Sequence, residues 1–415
     1  MEKLLFITPE LPFPPQSGGK VKSLKLLHAL AERYEVTLAC PLKGEDARHV
    51  DAFHAISPCV DHLHERLDVP RSAYQLATSY ARRWPLNVQR THHPRLARQV
   101  AAIADDFDVV MLDHYEVFPF VPASFGGLRV YHAHNAYHKL WERYAALPGN
   151  PVIRAASWLE AGRVRRCEAG VARGSDLVFA APNDAAELKI CGVAADRIRN
   201  TYHLGDDRQL DLPSLRYQDT EERLMYVGYL GWEANVLGLL WFLEEVWPTL
   251  VQRNPKLEFH IVGKGADVRL RNAVAAHPGI TLRGFVENLE TVYRTSRVSV
   301  APLRFGSGMK VKVLDAMARG MPTVTTSVGA EGIAAESGRH LLIADDPRET
   351  VRCVESLLGD PGLWFQLQSE SRELVRARYT WRRLFDEMHR DLRSALQRRQ
   401  HESQGDLFPA LGHAA

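Results

Sequence analysis

The sequence is poor in cysteine, in long apolar runs and in net charge. Its five cysteines, at positions 40, 59, 167, 191 and 353, are widely spaced and form no CxxC pair. This pattern argues against a zinc site and a disulfide framework, and it fits a reducing cytoplasm. The 52 basic residues nearly balance the 50 acidic ones. A chain built as a whole to coat nucleic acid is therefore not expected.

No segment approaches the roughly 20 apolar residues that span a bilayer. The first residues, MEKLLFITPELPFPP, hold an apolar run only one strand long, with no small-residue cleavage site after it. We therefore expect no signal peptide, and a protein that is soluble or at most peripheral to a membrane.

Cofactor signatures are also incomplete. Neither half of the chain contains the full G-x-G-x-x-G fingerprint with an acidic residue about 20 positions on, which argues against an NAD-dependent dehydrogenase. No acidic D-x-D pair lies at a strand end where the metal of a sugar-nucleotide site would be expected. We predict that the protein uses neither a cofactor nor a metal.

The length of the chain predicts two domains. A sequence of 415 residues with 46% apolar composition is too long for one ordinary core and suits two domains of roughly 200 residues. Short apolar runs alternate with amphipathic segments in both halves, which predicts an α/β fold with parallel sheets. The predicted strands are 3–8, 35–39, 60–67 (on a sheet edge), 109–112, 129–132, 177–180, 223–227, 258–262, 280–282, 297–302 and 322–326.

Helices and a linker complete this picture. The predicted helices are 21–33, 152–173, a segment from Asn183 as N-cap to Cys191, 234–246, 310–319 and 382–397. The acidic, proline-bearing segment 205–222 has no periodicity and is the predicted domain linker. A disordered tail is expected from Arg398 onward.

The most specific chemistry lies in residues 296–333. A strand is followed by Gly306, Ser307 and Gly308 and then by a helix that ends at Gly320. Unpaired N–H groups and the positive end of a helix dipole form an anion site at such a turn. Lys310 and Lys312 would add two ammonium donors, and Asp315 could accept hydrogen bonds from ribose hydroxyls. The set suits a nucleoside diphosphate, although a surface helix with a Lys312–Asp315 ion pair also fits.

The run GSGMKVKVLDAMARGMPTVTT resembles the donor-site signature of the retaining GT-B glycosyltransferases called glycosyl transferases group 1. Two positions depart from the family pattern: Asp315 replaces its closing Glu, and Ser307 occupies the place of a second Glu. The resemblance implies two Rossmann-like doubly wound domains facing each other across a cleft. The implied divisions are 1–204, the linker 205–222, the donor domain 223–378, a helix 379–397 that crosses back to the first domain, and the tail 398–415.

The resemblance also assigns roles to individual residues. The implied donor-nucleotide contacts are Gly228, Gly263, Phe285, Val286, Gly306, Ser307, Gly308, Lys310, Lys312 and Asp315. Gly18 and Gly19 would contact the donor diphosphate from the first domain. Their spacing alone fits equally well a turn that opens a helix. Lys310 and Lys312 are also expected to act in catalysis as cations, and His134 is a third expected catalytic residue, close to the transferring sugar.

His134 follows a predicted strand that ends at His132, at the sheet edge where open α/β folds bind ligands. The segment resembles the family's H-N-x-E motif, with Tyr137 in place of the acidic residue. A sugar contact, a hydrogen-bonded core histidine and a metal ligand are all conceivable roles for His134. A metal is disfavoured because no carboxylate or third ligand lies at helical spacing beside the histidine pair His132 and His134.

Residues 71–98 are basic and aromatic and contain no acidic residue. Their arginines and aromatic residues are Arg71, Arg82, Arg83, Arg90, Arg95, Arg98, Tyr74, Tyr80 and Trp84. A solvated helix pair would explain them, and so would a surface for a phosphorylated or membrane-borne acceptor. We predict Arg82, Arg83 and Trp84 on the acceptor side.

The expected activity is transfer of a sugar, most simply from a UDP-sugar, to a sugar, lipid-linked or small-molecule acceptor with retention of anomeric configuration. The expected setting is bacterial glycan, exopolysaccharide or glycoconjugate synthesis in the cytoplasm, either free or peripheral at the inner face of the membrane. A nucleotide-sugar 2-epimerase and a GT-B binding module without catalysis remain alternatives.

Overall fold

The structure is a computed structural model that describes residues 1–68, 72–146, 150–202, 204–306 and 308–405. The chain divides into two compact units. The first comprises Met1–Tyr202 and the chain from Leu384 onward, and the second comprises the chain between them. In the described residues, none of the helices has the length and apolar character required to cross a membrane.

Parallel strands form the centre of each unit. The strands of the first unit are β1 (Lys3–Ile7), β2 (Glu35–Lys43), β3 (Val60–Leu67), β4 (Val109–Asp113), β5 (Leu128–His132), β6 (Leu177–Ala180) and β7 (Ile198–Asn200). Those of the second unit are β8 (Arg223–Val227), β9 (Glu258–Val262), β10 (Ile280–Gly284), β11 (Val298–Ala301), β12 (Thr323–Thr325) and β13 (Leu342–Ile343).

Helices connect the strands. In the first unit they are α1 (Gly18–Ala31), α2 (Val50–Ile56), α3 (Ala73–Ala81), α4 (Leu86–Thr91), α5 (Pro94–Ile103), α6 (Tyr137–Ala146), α7 (Pro151–Arg173) and α8 (Pro182–Ile190). In the second they are α9 (Glu233–Trp241), α10 (Trp247–Arg253), α11 (Val268–Ala276), α12 (Glu290–Thr295), α13 (Val311–Arg319), α14 (Ser327–Ala330), α15 (Pro347–Gly359) and α16 (Pro361–Arg378). The last helix, α17 (Trp381–Gly405), begins in the second unit and continues into the first.

The described part of the first unit has a parallel sheet of seven strands in the order β3-β2-β1-β4-β5-β6-β7. The order reverses direction between β1 and β4, and open parallel sheets bind ligands at such a switch point. Leu4–Ile7 of β1 and the residues of β4 are buried on both faces, which explains their continuous apolar runs LLFI and VVML. β3 lies at the predicted edge.

The described part of the second unit repeats this plan with six parallel strands in the order β10-β9-β8-β11-β12-β13. Its switch point lies between β8 and β11. The connections that leave these two strands contain Gly228 and Gly306, so the glycine-rich loops lie at the carboxyl ends of neighbouring strands. The predicted α/β class with two parallel-sheet domains is confirmed.

Several boundaries differ from the sequence-based expectation. α1 begins at Gly18, where the Ser17 side chain caps it by accepting from the N–H of Lys20. The prediction that Asn183 caps α8 is wrong, because Ala181 precedes the first helical residue, Pro182. Proline suits that first position, since its missing N–H would have had no helical partner. The expected linker contains a short 3-10 helix at Asp207–Asp211.

The C-terminal helix packs on the first unit through polar contacts. Asp386 pairs with Arg33, His389 with the hydroxyl of Tyr34, and Asp391 with Arg199. α17 extends to Gly405, past the expected end at 397, so the disorder predicted for residues 398–405 is wrong. The remainder of the predicted tail lies outside the described residues.

Candidate functional site

The loop before α13 has a backbone that favours glycine. Gly306 has φ +147° and Gly308 has φ +70°, both in the region that side chains with a Cβ rarely adopt. Lys310 follows as the N-cap of α13, and Gly320 ends the helix with φ +73°. The predicted turn and helix end are therefore confirmed, and the helix begins at Val311, one residue after the predicted start. Ser307, the predicted donor contact between the two glycines, lies outside the described residues.

Lys312 is held against the end of β8. Its Nζ donates to the hydroxyl of Tyr226 at 2.8 Å and to Oδ1 of Asn235. A Cβ added at Gly228 would lie 3.2 Å from the same Nζ, so glycine permits this close approach. Burial, with a further contribution from the charge of Lys310, lowers the pKa of Lys312 to about 7.

Lys310 is buried at the N-terminus of α13. Its Nζ donates to the carbonyl oxygen of Gly308 and lies 3.7 Å from Oε2 of Glu331. The contact with Gly308 ties the lysine to the glycine loop. The positive charge of Lys310 also lowers the pKa of Lys312, so the two predicted cations interact electrostatically.

Asp315 faces the chain that enters the second unit. Its Oδ1 accepts a 2.8 Å hydrogen bond from the N–H of Asp206, and a Cβ at Gly205 would lie only 1.8 Å from that oxygen. Burial raises the pKa of Asp315 to about 6, although the Asp206 hydrogen bond acts in the opposite direction. Within the described residues Asp315 and Lys312 form no ion pair, which removes the interpretation of this helix as a simple ion-paired surface.

The other predicted donor contacts lie at neighbouring strand ends. Gly263 follows β9 with φ +152°, and a Cβ there would lie 1.8 Å from the carbonyl oxygen of Gly228. Phe285 is 73% exposed just after β10, whereas Val286 packs against the apolar cluster that includes Val292. The backbone of Gly228 therefore excludes a larger residue at position 263, whereas a Cβ at position 228 would crowd the side chains of Tyr226 and Lys312.

Sequence reasoning missed the aromatic residues of this region. The ring of Trp232 lies 6.0 Å from Nζ of Lys312, and a Cβ at Gly306 would approach the same ring at 3.5 Å. Tyr229 is 57% exposed beside Gly231 and Gly265. The sequence G-Y-L-G-W at 228–232 directly follows a predicted strand, and this position could have indicated that the rings lie at the ligand-binding edge of the sheet.

In the first unit His134 belongs to a buried polar cluster. Its Nε2 lies 2.7 Å from Oδ1 of Asp113, and Nδ1 of His132 lies 2.6 Å from the same oxygen. Asp113 ends β4 and pairs in register with His132 on β5, so strand pairing brings these groups together. The ring of His134 also stacks on that of His114 at 3.9 Å.

Burial disfavours the charged forms of the ionisable side chains in this cluster. Burial lowers the pKa of His134 to about 4 and that of His132 to about 4, despite the nearby Asp113. The pKa of Asp113 is held well below its usual range by the two histidines, although burial acts in the opposite direction. The neighbouring Lys22 is buried, and burial lowers its pKa to about 7. At neutral pH the cluster is therefore a carboxylate hydrogen-bonded by neutral imidazoles.

Asp113, His132 and His134 also bring three potential metal ligands together, with ligand atoms within 4.8 Å of one another. The sequence argument against a metal was incomplete, because the carboxylate comes from another strand and not from helical spacing. The Asp113 oxygen is nevertheless 2.6 and 2.7 Å from the two imidazole nitrogens. Ligands on one zinc ion lie about 3.3 Å apart. The arrangement fits hydrogen bonds better than metal coordination.

Gly18 and Gly19 are the first two residues of α1. A Cβ at Gly19 would lie 3.8 Å from Nδ1 of His134, so the structure brings Gly19 and His134 together. A Cβ at Gly18 would meet nothing within 4 Å. The helix N-terminus thus lies beside the histidine cluster at the switch point of the first sheet.

The predicted acceptor residues follow α3. Arg82 lies over the ring of Trp84 at 5.0 Å, and Trp84 packs on Phe118 with ring centroids 5.9 Å apart. Arg83 is exposed and has φ +56°. The buried Arg163 of α7 donates to the carbonyl oxygen of Trp84 and fixes this turn. Arg71 lies outside the described residues.

Comparisons with known proteins bear on both units. Residues 221–360 match the family model described as Glycosyl transferases group 1. An uncharacterized 44.6 kDa protein of the Klebsiella pneumoniae cps region is 32% identical over 130 residues, 30% of this chain and 34% of that protein. An uncharacterized glycosyltransferase of Methanocaldococcus jannaschii is 25% identical over 178 residues, 40% of this chain and 44% of that protein. The matches thus span less than half the length of these relatives.

The fold likeness extends over nearly the whole chain. The crystal structure of Anabaena HepE in complex with UDP has a TM-score of 0.68 and 13% identity, and the alignment covers 95% of this chain and 100% of that chain. HepE has also been solved in complex with UDP-glucose. The chain therefore has the GT-B glycosyltransferase fold, and its residues 221–360 carry the group 1 glycosyltransferase pattern.

Proposed function

We propose that the protein is a glycosyltransferase that moves a sugar from a nucleotide-diphosphate sugar to an acceptor hydroxyl and retains the anomeric configuration. The observation that carries the proposal is the glycine loop at the N-terminus of α13, where Gly306, Gly308, Lys310 and Lys312 lie within the segment that matches the family model. Because HepE binds UDP and UDP-glucose, a UDP-sugar is the expected donor.

The proposed chemistry is stabilisation of a leaving diphosphate. The bond between the anomeric carbon and the diphosphate oxygen breaks, and the acceptor oxygen forms its new bond on the same face of the sugar. The acceptor proton passes to the departing phosphate. Lys310, Lys312 and the amides of the glycine loop would stabilise the charge that grows on the diphosphate, a case of preorganised electrostatics. The proposal requires no metal or other cofactor.

Asp315 would hold the ribose of the donor through its carboxylate. The hydrogen bond from the Asp206 N–H to Oδ1 fixes the rotamer of Asp315. A carboxylate oxygen has more than one acceptor direction, so it can serve a hydroxyl as well as this amide. The exposed ring of Phe285 and the backbone at Gly228, Gly263 and Val286 would complete the nucleotide site.

His134 is proposed to act on the transferring sugar, and Gly18 and Gly19 on the diphosphate. A neutral His134 that donates from Nε2 to Asp113 has Nδ1 as a hydrogen-bond acceptor, the tautomer needed to accept from a sugar hydroxyl. Its lowered pKa of about 4 keeps the ring neutral at the pH of the cytoplasm. Asp113 would orient the ring from behind and set the tautomer.

The proposed acceptor is a sugar, lipid-linked or small molecule, and no nucleic acid takes part. The match to a protein of the Klebsiella cps region supports a role in bacterial polysaccharide or glycoconjugate synthesis. We propose a cytoplasmic protein that contacts the inner face of the membrane peripherally, through the surface around Arg82, Arg83 and Trp84.

The decisive experiment has two stages. Calorimetry with UDP, GDP, ADP and TDP would identify the base, and incubation of the corresponding sugar nucleotides with mixed acceptors would then reveal the transfer product. NMR of the first product formed would show whether the donor's anomeric configuration is kept, and an inverted linkage would refute retention. Isomerised sugar nucleotide without an acceptor would indicate an epimerase. Nucleotide binding without transfer or donor hydrolysis would indicate a binding module.

A further inference from the structure

The first unit contains a groove that the proposed donor chemistry does not use. It has a volume of about 970 Å³, at the upper end of the range of roughly 300–1,000 Å³ for ligand sites. The groove lies between α7, the turn after α3 and the segment Tyr115–Phe120 that follows β4. Its floor and mouth include Tyr80, Trp84, Leu112, Phe118, Leu159 and Val171.

The groove combines an apolar floor with positive charge. Four arginines line it, and no carboxylate is among its described lining residues. Two of the four are already engaged: Arg163 pairs with Glu160 at 2.7 Å, and Arg129 donates to backbone carbonyls such as that of Ala123. The exposed Arg83 and Arg166 pair with no carboxylate in the part of the chain that the structure describes. Their charge is therefore available at the rim.

The mouth of the groove exposes large aromatic and aliphatic side chains to solvent. Tyr80 is 53% exposed and Leu159 is 57% exposed, and both line the groove. On the same two helices, outside the groove lining, Trp158 is 69% exposed and Tyr74 is 74% exposed. Large exposed apolar side chains beside unpaired arginines are typical of surfaces that meet lipid.

We propose that this groove binds one anionic lipid, with its apolar chain along Leu112, Phe118 and Val171 and its phosphate head at Arg83 and Arg166. Charge complementarity requires an anionic head, because the uncompensated groups at the rim are guanidiniums. The apolar floor requires a tail, because a soluble sugar phosphate would leave that surface without a partner. The further role of this lipid as carrier of the sugar acceptor rests on the proposed glycosyltransferase function, whereas its binding does not.

A glycine on α7 offers a test that leaves the fold intact. Gly170 lines the groove, and a Cβ there would meet nothing within 4 Å. Gly170→Leu should therefore fold and fill the groove. Gly162 lies on the same helix, also has nothing within 4 Å of an added Cβ and is not a lining residue, so Gly162→Leu is the matched control.

Calorimetry with octyl phosphate below its micelle concentration measures binding directly. We expect one molecule of octyl phosphate to bind per chain, with an affinity at least ten-fold higher than that of inorganic phosphate or octanol. Gly170→Leu should lose at least ten-fold in affinity, and Gly162→Leu should match wild type. The double variant Arg83→Gln/Arg166→Gln should bind octyl phosphate more weakly and octanol with unchanged affinity. The double variant Arg95→Gln/Arg98→Gln removes two charges outside the groove and should leave both affinities unchanged.

Several results would overturn the proposal. One is undiminished octyl phosphate binding by Gly170→Leu, and another is an equal response to the two double arginine variants. If light scattering showed that Gly170→Leu converts a dimer to a monomer while octyl phosphate fails to bind wild type, the occupant would be a second copy of the chain. UDP affinity of Gly170→Leu should equal that of wild type, so loss of nucleotide binding and loss of lipid binding test the two proposals separately.

Discussion

The N–H of Asp206 donates a 2.8 Å hydrogen bond to Oδ1 of Asp315, 109 residues further along the chain. The backbone at Gly205 packs so closely that a Cβ there would lie 1.8 Å from the same oxygen. The connection into the second unit therefore sets the orientation of the carboxylate that the family resemblance assigns to the nucleotide. This contact gives Asp315 a defined rotamer before any ligand arrives.

Replacement of Asp315 should weaken nucleotide binding. A hydrogen bond to a charged acceptor contributes about 1.5–3 kcal/mol, and 1.4 kcal/mol corresponds to a factor of ten. Asp315→Ala should therefore bind UDP and uridine at least about ten-fold more weakly, with similar losses for both because the ribose is common to them. Asp315→Asn, which keeps an acceptor for the Asp206 amide, separates the lost charge from a disturbed loop. Unchanged affinities in calorimetry would remove Asp315 from the nucleotide site.

Asp315 should also make stability depend on pH. Its pKa in the folded chain, about 6, is above the ordinary value of 3.8, so the unfolded state ionises first as pH rises. The stability contributed by the protonated group is fully present below pH 3.8 and is lost as pH rises to about 6. Compared with Asp315→Asn, the wild type should lose on the order of 1–3 kcal/mol in free energy of unfolding across this window. Denaturant titrations at pH 4 and pH 7 measure it, and parallel profiles for the two proteins would contradict it.

Lys310 and Lys312 should recognise the diphosphate rather than the nucleoside. Lys310→Ala or Lys312→Ala should weaken UDP roughly ten-fold or more and leave uridine nearly unaffected. Because burial lowers the pKa of Lys312 to about 7, wild-type affinity for UDP should fall as pH rises from 6 to 9. Lys312→Gln should lose most of this pH dependence. Equal losses for UDP and uridine would refute the assignment.

Turnover should persist after chelation. Cations from Lys310 and Lys312 already lie at the proposed diphosphate position, so the leaving group would need no metal. Rates measured after EDTA treatment and gel filtration should remain within about two-fold of the untreated enzyme. Complete loss of activity that Mn²⁺ or Mg²⁺ restores would overturn this prediction and direct attention to Asp113, His132 and His134.

His134→Ala should lower kcat sharply with little change in UDP affinity. An interaction made mainly with the reacting sugar stabilises the transition state more than the ground state. Asp113→Asn provides a second measurement, because it alters the partner of the His134 Nε2 atom without removing the ring. A normal kcat for His134→Ala, with the fold verified by circular dichroism, would exclude the residue from the reaction. A loss of UDP affinity equal to the loss in kcat would point instead to a structural role.

The strands were the most predictable part of the fold. β6, β8 and β9 have the predicted bounds because their buried residues form short, mainly apolar runs. β3 also has the predicted bounds, although it is a mostly polar strand at the sheet edge, with only its two end residues buried. Helix starts were less predictable. Asn183 has the chemistry of an N-cap, but the N-cap of α8 is Ala181, two residues earlier, because Pro182 already has the backbone angle of a first helical turn.

The partners of the site residues were not predictable in the same way. A Lys312–Asp315 ion pair, three positions apart, was the alternative that local spacing allowed, whereas Lys312 contacts Tyr226 and Asn235. Asp113 was not selected at all, although it joins His132 and His134 through the register of β4 and β5. Neither relation follows from local spacing, because each depends on which strands become neighbours in a sheet.

The sequence by itself determined the turn at Gly306 and Gly308, the helix that Gly320 ends, and the position of Lys310 at its start. These features depend on backbone preferences of adjacent residues, which act in any surroundings. Only the tertiary structure decided that Lys312 lies against β8, that Asp315 is tied to Asp206, and that Asp113 carries two histidines. Those contacts join residues from 19 to 109 positions apart, so they form only when distant segments of the chain pack together.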